Sequence, residues 1–310
     1  MDRSLPPLQT FHETVQGDVI SVVVRWLSLT DIFNFSSISR AYGDYLTNIK
    51  DQLQKWRVIA EQLSCRDRHI EDNLINFSLD LSYCISGKNQ CVLLSNTLQN
   101  DFLLKKLDLS RGHIADDELG ILAPALKSNQ VLIALNLSWN AIGDEGAAEL
   151  GKALKGNAAL TTLVLQGNFI GDKGADAIAE ALSSTALTSL DLGLNDLTEG
   201  AALRIVEIEK PRNKLEKPRN KLTSLGLARC GIGPTGAAEI AKYVSDSAVL
   251  TSLDLYDNDI DDEGGRAIGR ALEDNEALTN LDLRSCGLGD EVKARIQNVV
   301  SMREGFELKM

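Results

Sequence analysis

The chain has 310 residues, 44 acidic against 32 basic side chains and a net charge of -12. So acidic a surface disfavours nucleic acid and anionic lipid as partners, and no run approaches the ~20 apolar residues of a membrane-crossing helix. The three histidines, His12, His69 and His113, are far apart and have no metal-ligand spacing. No serine or glycine-rich stretch stands in a nucleophile or phosphate-loop context, so neither an enzyme nor a metal or cofactor site is expected.

Residues 1–15 are polar, contain Pro6 and Pro7, and are expected to be a flexible leader. From Val19 the composition changes. Val19, Ile20, Val23, Val24 and Leu27 recur at helical spacing. Thr30 can cap a further helix, and two more apolar clusters follow: Ile32, Phe33 and Phe35, then Ile38, Tyr42, Tyr45, Leu46 and Ile49. Residues 16–72 are therefore expected to form a small helical module, and 73–310 a separate domain.

That second domain has a register. Leu79, Leu107, Leu135, Leu163, Leu190, Leu225, Leu253 and Leu281 fall at spacings of 28, 28, 28, 27, 35, 28 and 28, and each opens an L-x-L pair. In Leu163-Val164-Leu165 the alternation suits a short strand with two inward side chains. Asn140, Asn168, Asn195 and Asn258, three residues past the pair, can turn the chain and satisfy backbone groups inside the turn. Cys84, Cys230 and Cys286 take the same place in other units, where small buried thiols are expected to be reduced. The unit at Leu107 has Gly112 there instead. Each turn leads into an Ala-rich helical stretch, such as Gly174, Ile178 and Leu182 at four-residue spacing. A unit of this length cannot bury its own apolar side and must stack on its neighbours.

The pattern resembles the leucine-rich repeat family in its long, ribonuclease-inhibitor-like class, over roughly residues 73–300. The resemblance implies an α/β solenoid, or horseshoe, of about eight units, with parallel strands inside, helices outside and a mixed last helix around 292–300 capping the stack. It also implies protein binding.

The one 35-residue step has a visible cause. Glu209 to Leu215 is repeated at once as Glu216 to Leu222. Pro211 and Pro218 cannot continue a helix, so the extra heptad is expected to leave the stack as a basic loop. It is either a tolerated duplication or a contact loop.

Residues 1–70 hold eight acidic and eight basic residues, so the charge deficit lies beyond them, with 36 acidic against 24 basic. The strand wall should carry the partner. Its candidate contacts are Arg111, Trp139, Gln166, Asp191, Leu194, Arg229, Asp254, Tyr256, Asp257, Asp282 and Arg284. Trp139 and Tyr256 are large aromatics with no core to fill there, and aromatics and Arg dominate interface energies. Asp108, Asp191, Asp254 and Asp282 share one position and favour a basic partner.

The segment from Val19 to Leu46 resembles an F-box: Trp26-Leu27, then Leu29-x-Asp31-Ile32, Phe35, Ile38-Ser39-Arg40 and Tyr42, with Trp56 as a late tryptophan. Gln16-Gly17-Asp18 stands where that family opens on Leu-Pro. The resemblance implies a substrate receptor of a cullin-type ubiquitin ligase, with Val23, Trp26, Leu27, Ile32 and Phe35 facing a Skp-type adaptor. The alternative is a non-catalytic scaffold or regulator, cytoskeletal, signalling or GTPase-regulating, whose first helices only cap the solenoid. In either case the chain is expected to be a monomer on its own, in the cytoplasm, with the nucleus also open to it.

Overall fold

The computed structural model describes residues 40–63, 77–209 and 221–310. The leader, the five adaptor-facing residues and most of the duplicated heptad lie outside the described residues.

The chain divides into two compact units, Met1–Asp80 and Leu81–Met310. In the first, helix α1 (Arg40–Gln62) buries Ile49, Leu53, Trp56, Ile59, Ala60 and Leu63. These recur every three or four residues and so share one face. Trp56, fully enclosed, is the largest of them. Strand β1 (Ser78–Asp80) ends this unit around Leu79.

In the second unit strands and helices alternate. They are α2 (Lys88–Gln99), β2 (Lys106–Asp108), α3 (Asp116–Ser128), β3 (Ala134–Asn136), α4 (Asp144–Leu154), β4 (Thr162–Val164), α5 (Asp172–Leu182), β5 (Ser189–Asp191) and α6 (Glu199–Glu209). After the heptad come β6 (Ser224–Gly226), α7 (Pro234–Asp246), β7 (Ser252–Asp254), α8 (Asp261–Asp274), β8 (Asn280–Asp282), α9 (Asp290–Val300) and β9 (Glu307–Lys309). Strands β2 to β9 pair in chain order, all parallel. The register runs leucine to leucine: Leu107, Leu135, Leu163, Leu190, Leu225, Leu253, Leu281 and Leu308. The sheet is open, and helix stacks on helix behind it. Strands repeat every ~4.8 Å and helices need ~10 Å, so the strands take the inner side of the curve. Gly151 lets two helices approach closely: a Cβ there would lie 2.7 Å from the Ala177 carbonyl.

Polar ladders tie the units together. The side-chain amide of Asn140 donates to the carbonyls of Leu109 and Leu137 at 3.0 and 2.9 Å, and its Oδ1 accepts the N–H groups of Gly112 and Ile114. Asn168, Asn195 and Asn258 repeat the arrangement. Cys286 Sγ replaces one arm, donating to the Leu255 carbonyl at 3.1 Å.

A second ladder stands where helices run into strands. The amide of Asn157 donates to the carbonyls of Leu126 and Asn129, while its Oδ1 accepts from Ala159 and Leu160. Asn129 and Asn275 do the same one unit earlier and further along the stack. A third ladder is acidic. Asp116 accepts the Gly143 N–H, Asp144 those of Gly171 and Gly174, Asp172 that of Thr198, Glu199 that of Gly233 and Asp262 that of Gly289. Each acid sits in the first turn of one helix and serves the start of the next.

Two expectations change. The last helix does not end the stack, because β9 adds a ninth strand with Leu308 opposite Leu281. Cys230 and Cys286 are free and buried as expected, as is Cys91, but Cys84 is disulfide-bonded. Cys84 is only half-buried, unlike the enclosed Cys230 and Cys286.

Candidate protein-binding surface

The strand wall carries three rows: the middle residue of each strand pair, the residue just after the pair (Ser110, Ser138, Gln166, Gly193, Ala228, Tyr256 and Arg284), and the turn edge one residue further on. The first is the middle residue of each strand pair: Asp108, Asn136, Val164, Asp191, Gly226, Asp254, Asp282 and Lys309, aligned by the register. Its carboxylates are engaged by their own backbone. Asp108, Asp191, Asp254 and Asp282 each accept the N–H two residues on, from Ser110, Gly193, Tyr256 and Arg284. Asn136 does the same for Ser138, so the position needs an acceptor rather than a charge. Much of the acidity of this row is thus turn chemistry.

The row still has an electrostatic gradient. Burial pushes the Asp191 carboxyl up to about 6, the Gly193 N–H pulls it back, and the negative charge of Asp254 raises it further. Asp254 is raised as well, chiefly by burial. Burial also pushes Asp282 upward, but the hydrogen bonds and charge of Arg284 outweigh it and hold the carboxyl below its ordinary value. The Arg284 guanidinium meets Asp282 at 2.5 Å and lies 5.3 Å above the Tyr256 ring. Arg229 pairs with Asp257 at 3.1 Å.

The third row marks where the chain leaves each strand. Tyr83, Arg111, Trp139, Leu194, Arg229, Asp257 and Ser285 all have φ between 53° and 61°, and Gly167 has φ 70°. This left-handed conformation is uncommon for residues with a side chain, and the repeat imposes it at every turn. It lines these side chains up along one edge. The Arg111 guanidinium lies 5.5 Å from the Tyr83 ring centre and 5.1 Å from that of Trp139. Trp139 in turn spreads over Gly167, where a Cβ would come within 2.9 Å of the indole. Even so, Trp139 remains 45% exposed, Tyr83 63% and Phe169 64%.

Among the sequence candidates, then, Arg111 and Trp139 form one cluster. Tyr256, Asp282 and Arg284 form a second, and Arg229 with Asp257 is an ion pair. Asp191 and Asp254 are half-buried acids, and Gln166 and Leu194 are half-buried wall residues. Tyr83 and Phe169 were missed. Tyr83 stands 28 residues before Arg111 and was legible from the register, whereas Phe169, next to a ladder Asn, has no periodic signal. Among the described residues no group of His, Cys, Asp and Glu could hold a metal ion, and no helix is long and apolar enough to cross a membrane.

A family model described as "Leucine Rich repeat" matches residues 128–151, 156–179, 220–241, 246–269 and 274–291, so leucine-rich repeats are present in the chain. Similar solved structures include "Leiomodin-1 Actin-Binding Site 2 (ABS2)", 22% identical over 48% of this chain and 84% of that one, with TM-score 0.39. The tropomodulin C-terminal domain of Caenorhabditis elegans is 18% identical over 42% and 79%, with TM-score 0.37. An internalin of Listeria monocytogenes is 19% identical over 75% and 60%, with TM-score 0.43. No curated protein matches the sequence.

Proposed function

We propose that this chain is a non-catalytic leucine-rich repeat scaffold, of the ribonuclease-inhibitor-like class, that holds a protein partner on its strand wall. A full helix in each complete repeat supports the class. The observation that carries the function is Trp139: a large aromatic, fixed by its own turn and by Arg111, yet left nearly half open to solvent. The half-buried carboxylates of Asp191 and Asp254, which have no side-chain ion pair among the described residues, suit a Lys or Arg of the partner. The test is capture of the partner from native cells, followed by affinity measurement with Trp139→Ala and Tyr256→Ala. Each is expected to weaken binding by about 1–3 kcal/mol without unfolding the chain. Unchanged affinity in the double variant would move the interface off the wall.

A second reading rests on the F-box-like stretch from Val19 to Leu46, with the buried Trp56 beyond it. In that reading the scaffold presents its partner to a ubiquitin ligase through a Skp-type adaptor. Co-purification of the adaptor with the intact chain, but not with one lacking residues 1–60, is the expected result. No recovery by the intact, folded chain would leave the scaffold alone.

A further inference from the structure

Three arginines lie on the strand wall or its turn edge, and they differ in one respect. Arg229 is neutralised by Asp257 at 3.1 Å and Arg284 by Asp282 at 2.5 Å. Arg111 has no carboxylate within ion-pair distance among the described residues. The nearest acid on its own strand, Asp108, is turned to other work: one oxygen accepts the Ser110 N–H at 2.8 Å and the other the Asn136 amide at 2.9 Å. Of the three wall arginines, Arg111 alone is left without an acid among the described residues.

The geometry also restricts what can reach this cation. The ring of Tyr83, one unit before, and the indole of Trp139, one unit after, both lie within 5.5 Å of the guanidinium. Aromatic rings hold a guanidinium through its flat faces. What remains available is the N–H edge, whose forked donors match two oxygens of one planar anion. Beside it stand the rings of Tyr83 and Trp139, 63% and 45% exposed, which offer apolar contact rather than charge.

From this, resting on the proposed use of the strand wall, we infer that the edge around Arg111 is the docking site for a partner segment carrying one aspartate or glutamate between apolar side chains. The carboxylate meets the Arg111 edge and the apolar neighbours lie on the rings. The partner surface is therefore bipolar: an acid opposite Arg111 and a base opposite Asp191 and Asp254. Three strand steps separate Arg111 from Asp191 along the wall, about 15 Å at ~4.8 Å per strand, and five separate it from Asp254.

The test is selection of a randomised twelve-residue peptide library on the intact chain, with thermal unfolding used to check that every variant is folded. Expected is enrichment of peptides with an acidic residue flanked by apolar or aromatic ones. Their binding should fall at least about tenfold in Arg111→Ala. It should fall severalfold in Arg111→Lys, which keeps the charge and loses the planar fork, and hold in Tyr256→Ala. Enrichment of basic peptides alone, or of acidic peptides indifferent to Arg111→Ala and Arg111→Lys, would overturn the inference. So would selected peptides that depend on Tyr256 and not on Arg111, although the scaffold reading would then stand. Failure to enrich any peptide dependent on Arg111, Trp139 or Tyr256 would overturn both.

Discussion

The carboxylate of Glu209, the last residue of α6, accepts the backbone N–H of Lys221 at 2.8 Å and that of Leu222 at 3.3 Å. In other units an Asn such as Asn129 or Asn157 supplies this acceptor just before the strand. Here the helix end reaches across the duplicated heptad to provide it. Glu209 is buried, and burial raises its carboxyl pKa while the two N–H groups oppose the rise.

Glu209→Ala is therefore expected to destabilise the chain by about 1–3 kcal/mol, since two buried N–H groups lose their acceptor. Glu209→Gln keeps an oxygen in place and should recover most of that loss. Denaturant unfolding of the two variants checks this; equal damage from both would mean that side-chain volume, not the acceptor, matters.

Asn168 binds the Leu137 and Leu165 carbonyls at 3.0 and 2.8 Å and accepts the Ile142 N–H. Removing it orphans groups in two units at once. Asn168→Ala is expected to cost about 2–4 kcal/mol, more than an exposed wall substitution such as Trp139→Ala. Chemical denaturation midpoints at constant slope are the measurement.

Asp191 titrates near 6 in the folded chain, from an ordinary value of 3.8. Between those values the folded chain keeps a proton that the unfolded chain has lost. Its contribution thus favours folding at low pH and is lost as pH rises through 6. Asp191→Asn retains the turn acceptor, as Asn136 does. At pH 7.5 this variant should be the more stable by about 1–3 kcal/mol, with the gap closing below pH 5. A gap that does not narrow with acid would place the strain elsewhere.

Burial and neighbouring carboxylates push the Cys230 thiol up to about 12, and burial pushes Cys286 up to about 11. Both should resist alkylation at pH 8 in the folded chain and react on unfolding, since the thiolate is the nucleophile. Cys84 should react only after reduction. Rapid native labelling of Cys230 would overturn its place in the ladder.

Gly167 combines a left-handed φ of 70° with the Trp139 indole resting on it. Gly167→Ala should cost about 1–2 kcal/mol and lift the indole into solvent. The emission difference against a Trp139→Phe background should then shift to the red.

The leucine register placed all eight expected strands, because L-x-L at a fixed step needs only the chain itself to be read. Leu308 escaped because Leu308-Lys309-Met310 lacks the L-x-L pair that marks the other strands. The Asn129, Asn157 and Asn275 ladder escaped because one polar residue between helix and strand looks like ordinary loop. The acids were legible in number but not in role. Asp108, Asp191, Asp254 and Asp282 looked like a partner surface, yet each holds its own turn, and only the hydrogen-bond partners distinguish the two. Arg111 and Trp139 were found from periodicity. That Arg111 lacks an acid was not, since it depends on where Asp108 points.

The ladders run in opposite directions. Asn140 reaches back to the unit of Leu109, while Asp116 of that unit reaches forward to Gly143. Where both ladders are present, as between the Leu107 and Leu135 units, a boundary cannot open without breaking polar contacts made from both sides. A chain built of near-identical short pieces would otherwise peel from either end. This reciprocal tying suppresses half-melted stretches and turns the repeats into one unfolding block, so a lone repeat cut from the stack should have no fold to keep.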